Sequence, residues 1–284
     1  MIRILIAGAN SYIGTNFEKY MTAHRDYEIQ TVDTIDGKWK NVDFSEFDVV
    51  FCVAGIAHAN PKPEMREKYY AVNTNLVVDI AKYAKDSGVK QFIFMSSMIV
   101  FGSKQNRIEK ITEPVPENFY GDSKLQADIK LHKMSDETFS VVSLRPPMIY
   151  GNGSRGNYPR LASLAKKTPI FPEFKNERSM LYIENLCEFI KQVIDNRESG
   201  IFYPQNKEYV NTSKLVKTVA EVHDRKIHTI RIFNPILRVL SKKMTIFNKL
   251  FGDYTYSKEM SAYNDFKYCI VDFKESIKRT EGKF

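Results

Sequence analysis

Ile2-Arg3-Ile4-Leu5-Ile6-Ala7-Gly8-Ala9-Asn10-Ser11-Tyr12-Ile13-Gly14 is the stretch whose reading decides the fold. Its first half is a short Ile and Leu run without alternation, the pattern of a strand covered on both faces of a parallel sheet. A helical pattern follows through Phe17 and Met21. Strand, glycine turn and helix, in that order, turn a weak glycine pattern into a dinucleotide-binding site. Gly8 permits the tight turn. The backbone amides of Asn10, Ser11, Tyr12 and Ile13 meet a pyrophosphate at the helix N-terminus, and Gly14 lets helix and strand approach closely. Ser11 stands where the middle glycine usually is. Its hydroxyl can still bond phosphate, with less freedom for the backbone to approach.

Working outward, a second strand over Glu28 to Val32 stops at Asp33. An acidic residue about 20 residues beyond the glycine turn accepts hydrogen bonds from an adenosine ribose and repels a 2'-phosphate, which favours NAD over NADP. The competing reading is an Asp that makes the turn at a strand end. Asp43-Phe44 precedes a third strand, Val49 to Ala54, where an Asp can reach the adenine amino group, and Gly55 lets the backbone pass close to the cofactor. Tyr69 to Lys85 reads as an amphipathic helix carrying Asn73, with Gly88 as its stop. Gln91 to Ser96 and Val141 to Leu144 are further strands. The repeated alternation predicts an α/β fold, a Rossmann-like doubly wound parallel sheet.

Ligands of such sheets lie at the carboxyl ends of the strands, where Ser96-Ser97 ends one of them. Downstream comes Tyr120-Gly121-Asp122-Ser123-Lys124. On a helix this spacing puts the Tyr120 phenol and the Lys124 ammonium on one face, a single turn apart. A fixed cation beside a phenol stabilises the phenolate and brings a pKa of about 10 nearer the range useful for acid-base chemistry. The pair alone is equally compatible with an aromatic residue and an exposed lysine on an ordinary amphipathic helix.

Composition narrows the choice of ligands. The chain has 284 residues, 43% hydrophobic and 27% charged, as in soluble globular proteins. Its net charge of +8 suits an anionic ligand. The lysines form no basic run, so a nucleotide-type small molecule accounts for the excess and no nucleic-acid partner is expected. Cys52, Cys187 and Cys269 lie far apart and have neither disulfide nor metal-ligand spacing, and the histidines are dispersed, so no metal is expected. No apolar run approaches the ~20 residues of a spanning helix, and the apolar start is too short for a signal peptide. A cytoplasmic protein without stable membrane insertion is the expectation.

Taken as a set, Gly8-x-x-Ser11-x-x-Gly14, Asp33, Ser96-Ser97 with Val100-Phe101-Gly102, Tyr120-x-x-x-Lys124 and Arg145-Pro146 resembles the extended short-chain dehydrogenase/reductase superfamily. Within it, the chain is most similar to the NAD-dependent nucleotide-sugar epimerases and dehydratases. The resemblance runs in order from Ile2 to about Leu186. It implies that Tyr120 is the catalytic acid/base, that Lys124 holds the nicotinamide ribose, and that Ser97 polarises the reacting sugar oxygen. It also implies a cofactor set of Gly8, Asn10, Ser11, Tyr12, Ile13, Gly14, Asp33, Asp43, Phe44, Ala54, Gly55, Asn73, Ser96, Tyr120, Lys124 and Pro147. The acidic pair that follows the catalytic hydroxyl in the 4,6-dehydratases is Met98-Ile99 here, which cannot move protons. A dehydratase is therefore not expected.

The resemblance further implies an NAD-binding core over 1–150 and a smaller, mainly substrate-binding part over 151–284, with a segment near 182–206 returning to the core. Arg178, in Arg178-Ser179-Met180-Leu181-Tyr182, matches an arginine that grips a nucleotide diphosphate, a task suited to its planar fork. The stretch 235–251 is amphipathic and basic, a pattern shared by membrane-surface helices and by helices packed on their own domain. A UDP-linked sugar is the expected substrate and a homodimer the expected assembly. Three functions stay open at this point: 4-epimerisation of a UDP-hexose or UDP-N-acetylhexosamine, reduction of a UDP-4-keto-6-deoxy-hexosamine by NAD(P)H, and dinucleotide sensing without catalysis. The complete Ser97, Tyr120 and Lys124 set argues against the last.

Overall fold

The computed structural model describes residues 1–57, 62–232, 234 and 252–283. The amphipathic stretch 235–251 lies outside them. In chain order the strands are β1 (Ile2–Ala7), β2 (Tyr27–Val32), β3 (Val49–Cys52), β4 (Gln91–Met95), β5 (Arg107–Ile108), β6 (Ser140–Leu144), β7 (Met148–Tyr150), β8 (Ile170–Pro172), β9 (Met180–Tyr182), β10 (Gly200–Phe202), β11 (His228–Ile230) and β12 (Thr255–Tyr256). The α-helices are α1 (Tyr12–Met21), α2 (Arg66–Tyr70), α3 (Val77–Asp86), α4 (Phe119–His132), α5 (Asn157–Lys167), α6 (Ile183–Asp195), α7 (Thr212–Val222), α8 (Lys258–Ser261) and α9 (Phe273–Thr280).

Two compact units divide the chain. The first comprises Met1–Gly102, Glu113–Pro146 and Leu186–Pro204. It holds a six-stranded sheet, all parallel, in the order β10-β6-β4-β3-β1-β2. Chain order reverses at β1, with β2 on one side and β3 on the other, so the topological switch point lies between β1 and β3. The register pairs Ala7 with Cys52, and the amides of Val53 and Ala54 both donate to Ala7 O at 3.0 Å. Gly8 and Ala54 therefore leave the sheet side by side. The strands are aliphatic and aromatic because both faces are covered: Leu5, Val50, Phe92, Phe94 and Val141 are fully buried. Burial of each such side chain is worth about 1.5–3 kcal/mol.

Between β2 and β3 the chain makes two 3-10 turns, Ile35–Asn41 and Phe44–Glu46. They deliver Trp39 and Phe44 to the core, where both pack on Tyr83, with ring centroids 5.6 and 4.9 Å away. The helix expected over Tyr69 to Lys85 is interrupted: α2 and α3 are joined by a π-helical turn, Ala71–Leu76. Such single turns insert one extra residue and occur often at functional sites.

The second unit, Ser103–Thr112, Pro147–Asn185 and Gln205–Phe284, carries three two-stranded parallel pairs, β5 with β12, β7 with β9, and β8 with β11. Glu281 ties its helices together. The carboxylate accepts from Tyr158 Oη (3.0 Å) and Lys166 Nζ (3.0 Å) on α5, and lies 2.7 Å from His223 Nε2 at the end of α7. Among the described residues no helix is long and apolar enough to cross a membrane.

Candidate active site

Asn118 opens α4 by accepting the Gly121 amide at 2.9 Å on its side chain, a cap that starts the helix two residues before Tyr120. Tyr120 and Lys124 then stand one turn apart on the same face. Tyr120 is half-buried, its ring edge-on to that of the fully buried Tyr69 at 5.8 Å. Burial pushes the phenol up to about 12, while the Ser97 hydroxyl, within hydrogen-bonding reach, pulls the other way. Lys124 is 5% exposed, donates to Met95 O at 2.9 Å and sits 4.7 Å over the Phe94 ring. Burial brings its ammonium down to about 8, opposed by Cys52 and Asp128. The lowering of the phenol by Lys124 that the spacing leads one to expect is not among the influences on Tyr120; burial dominates, and the opposing pull comes from Ser97.

β4 ends at Met95, and the next two residues divide the work. Ser97 caps the 3-10 turn Met98–Phe101 and accepts the Ile99 amide at 3.3 Å. Ser96 donates its hydroxyl proton to Asp128 Oδ2 at 2.9 Å. Gly55, just past β3, is closely approached by side chains: a Cβ there would lie 2.9 Å from Lys124 Nζ and 3.1 Å from Asn73 Oδ1, so these side chains would have to give way. Asn73 sits in the π-turn and is fully buried. Its amide accepts from Ile56 N (2.7 Å) and donates to Ile56 O and Ser123 Oγ (both 3.1 Å), and Ser123 Oγ donates to Tyr120 O (2.8 Å). The side chain of Asn73 is thus committed to holding the Gly55–Ile56 backbone against α4.

At the switch point Gly8 has φ +130°, and a Cβ on it would lie 2.8 Å from Ala54 N. Asn10, at φ +60°, adopts the left-handed conformation that Asn tolerates. Ser11 is the N-cap of α1 and accepts the Gly14 amide at 2.9 Å. No acidic residue lies in the first turn of α1, so its N-terminus keeps the positive end of the dipole open to an anion. Asp33 Oδ1 accepts the Ile35 amide at 2.9 Å, closing a turn at the strand end. Asp43 accepts from Ser45 N (2.9 Å) and Ser45 Oγ (2.7 Å), bonds that lower its pKa. Phe44 is fully buried and its ring belongs to the core, so the cofactor contact expected of it from the sequence has no exposed surface here. Packed glycines, an anion-seeking helix end and an acid at the end of β2 together fit a dinucleotide.

Of the remaining candidates read from the sequence, Pro147 and Arg178 belong to the second unit. Arg178 Nη1 donates to Gly252 O at 2.8 Å, its guanidinium lies 5.9 Å over the Tyr254 ring, and it lines a cavity of ≈ 10 Å³ with Met148, Asn157 and Val210. Sequence reasoning assigned no role to Asp128 and gave Arg145 none beyond its place in a motif. Asp128 is 1% exposed, and its Oδ2 accepts from Arg145 Nε at 2.9 Å as well as from Ser96. The available signal was spacing: Tyr120, Lys124 and Asp128 follow one another at four-residue intervals, one helical stripe.

A family model described as the NAD dependent epimerase/dehydratase family matches residues 4–203. Over 250 residues the chain is 31% identical to a UDP-glucose 4-epimerase of Vibrio cholerae, covering 78% of this chain and 76% of that protein. It is 27% identical over 271 residues to an N-acetyl-alpha-D-glucosaminyl-diphospho-ditrans,octacis-undecaprenol 4-epimerase of Escherichia coli O157:H7, covering 88% and 81%. Among solved structures, the UDP-glucuronic acid 4-epimerase of Bacillus cereus in complex with NAD superposes with a TM-score of 0.76 at 16% identity, over 99% of this chain and 96% of that one.

Proposed function

The chain belongs to the NAD dependent epimerase/dehydratase family, and from that premise we propose that it interconverts a UDP-linked hexose or N-acetylhexosamine and its C4 epimer. The observation that carries this reading is the convergence of Ser97, Tyr120 and Lys124 at the end of β4, in a setting dry enough to move both the phenol and the ammonium away from their ordinary values. NAD, held by the Gly8–Gly14 turn and Asp33, supplies the redox chemistry when bound. Tyr120 Oη takes the proton from the C4 hydroxyl and later returns it. Ser97 Oγ, beside the phenol, hydrogen-bonds the sugar oxygen as charge develops there. Lys124 offsets the phenolate charge with its ammonium. Met98 and Ile99 offer no acid or base for elimination, which leaves C4 as the reacting centre.

Arg178 in the second unit is the proposed diphosphate ligand. Helix α4, with Ile129 43% exposed, is the proposed dimer surface and the cytoplasm the proposed compartment.

The deciding experiment follows sugar identity by NMR and cofactor redox state by absorbance, with UDP-hexoses, UDP-N-acetylhexosamines and a UDP-4-keto-6-deoxy-hexosamine. Conversion to the C4 epimer with only catalytic NAD is expected. Consumption of one reduced cofactor per keto sugar, with no epimer formed from any substrate, would overturn the reading in favour of a reductase.

Cofactor choice has its own test. Asp33→Ser removes the charge that repels a 2'-phosphate, so the preference for NAD over NADP should narrow about tenfold, equivalent to about 1.4 kcal/mol. Titration of both cofactors against the two proteins measures it, and an unchanged ratio would place the discrimination elsewhere.

A further inference from the structure

Three charged side chains are buried behind Tyr120. Lys124 and Asp128 lie one turn apart on α4, and Arg145 follows β6, with exposures of 5%, 1% and 4%. Burying such groups is costly unless each finds partners. Arg145 Nε donates to Asp128 Oδ2, and its guanidinium lies 5.4 and 6.0 Å over the rings of Phe101 and Tyr203. The other carboxylate oxygen, Oδ1, is buried with no hydrogen-bond partner among the described residues. The trio sums to one positive charge. A phenolate at Tyr120 makes the set neutral only while Lys124 keeps its proton, so whatever holds that proton matters for the phenol as a base.

We propose that Asp128 is a positioning residue that keeps Lys124 protonated and ties the Ser96–Ser97 end of β4 to the helix carrying Tyr120. Its significance for turnover rests on the proton-transfer role proposed for Tyr120 and Lys124. Two bonds to Oδ2, from Ser96 and from Arg145, fix the carboxylate between β4, α4 and the end of β6. The charged or titratable groups around the pair are Cys52 from β3, Tyr120 and His132 from α4, Arg145, and Tyr203 beyond β10. Cys52 is held neutral by burial, its thiol pushed up to about 11. That leaves Asp128 as the anion that offsets the desolvation of Lys124. Removing the carboxylate lowers the lysine midpoint further, and the cation is then lost at a lower pH.

The test reads Lys124 itself. In protein labelled with [13C]lysine, the Lys124 Cε resonance, assigned by its loss in Lys124→Met, is titrated in wild type, Asp128→Asn and Asp128→Glu. A wild-type midpoint near 8 is expected. It should fall by about 1 pH unit or more in Asp128→Asn and stay close to wild type in Asp128→Glu. Because a lone buried arginine can prevent folding, Asp128→Asn combined with Arg145→Gln removes both charges together, and a smaller fall is expected there. Midpoints unchanged in the Asn variants, whatever their thermal stability, would overturn the proposal. Where epimerisation is measurable, the basic limb of its pH profile moves by the same amount. Wild-type and variant proteins that titrate as stated while the wild type epimerises nothing support the role of Asp128 and count against the proposed function, so the two failures are distinguishable.

Discussion

Tyr120→Phe should lower the rate of C4 epimerisation by about 10³-fold, within the range contributed by a positioned general acid or base. The phenol is the proposed proton carrier, standing both beside Ser97 and on the face of Lys124, and phenylalanine keeps the ring but loses the hydroxyl. The ring's packing against Tyr69 at 5.8 Å survives the change, so the fold should be retained. Loss of the hydroxyl leaves Ser97 one partner short, a cost of about 1 kcal/mol. Dinucleotide affinity should change less than about threefold, because the Gly8–Gly14 turn, whose amides are the proposed pyrophosphate ligands, is untouched. The measurement is kcat by sugar NMR beside a cofactor titration. A variant retaining more than a tenth of the wild-type rate would remove Tyr120 from the chemistry, and one that lost cofactor as well would mark the tyrosine as structural.

The second large effect concerns the turn at the switch point. Gly8→Ala should cost about 2–4 kcal/mol, the sum of placing a side chain at φ +130° and forcing its Cβ to 2.8 Å from a backbone nitrogen. Ala54, the atom's owner, is hydrogen-bonded into the centre of the sheet and cannot move aside. Gly37 is the control: it too has positive φ, +70°, but a Cβ there meets nothing within 4 Å. Gly37→Ala should cost about 1 kcal/mol, the left-handed penalty alone. Denaturant unfolding of the two variants separates strain from collision, and equal losses would show that the contact with Ala54 is unimportant. Gly8→Ala should also weaken NAD binding at least about tenfold, since the amides that follow are re-aimed away from the pyrophosphate.

What the chain reveals on inspection follows how local each cause is. β1, Gly8 and α1 are legible because strand, turn and helix are contiguous and each has its own pattern. Tyr120 and Lys124 are legible because four residues of spacing on a helix mean one face. Asp128 shares that stripe, yet its meaning depends on Ser96 and Arg145, which are 32 and 17 residues away and arrive only through sheet pairing. The Ala71–Leu76 turn is invisible for another reason: one extra residue in six leaves the apolar spacing of the helix nearly unchanged. Asn73 therefore looks like a side chain available for ligand, whereas folding commits it to Ile56 and Ser123. Asp33 and Asp43 were recognisable as acids at element ends, but their bonds to Ile35 and Ser45 are turn closures that any strand end could make.

The placement of β10 has a consequence for the order in which the protein is made. Val142, Ser143 and Leu144 of β6 find their outer neighbours in Gly200, Ile201 and Phe202. On the ribosome, β6 emerges with that side bare until residues 145–199 have been added, an interval on the order of several seconds at ~5–20 residues per second. An unpaired strand side of this kind is a template for another chain. A nascent chain halted before Gly200 would already carry Ser97, Tyr120, Lys124 and Asp128, the whole proposed catalytic set together with its positioning carboxylate. It would still present an open sheet edge to its neighbours on the polysome.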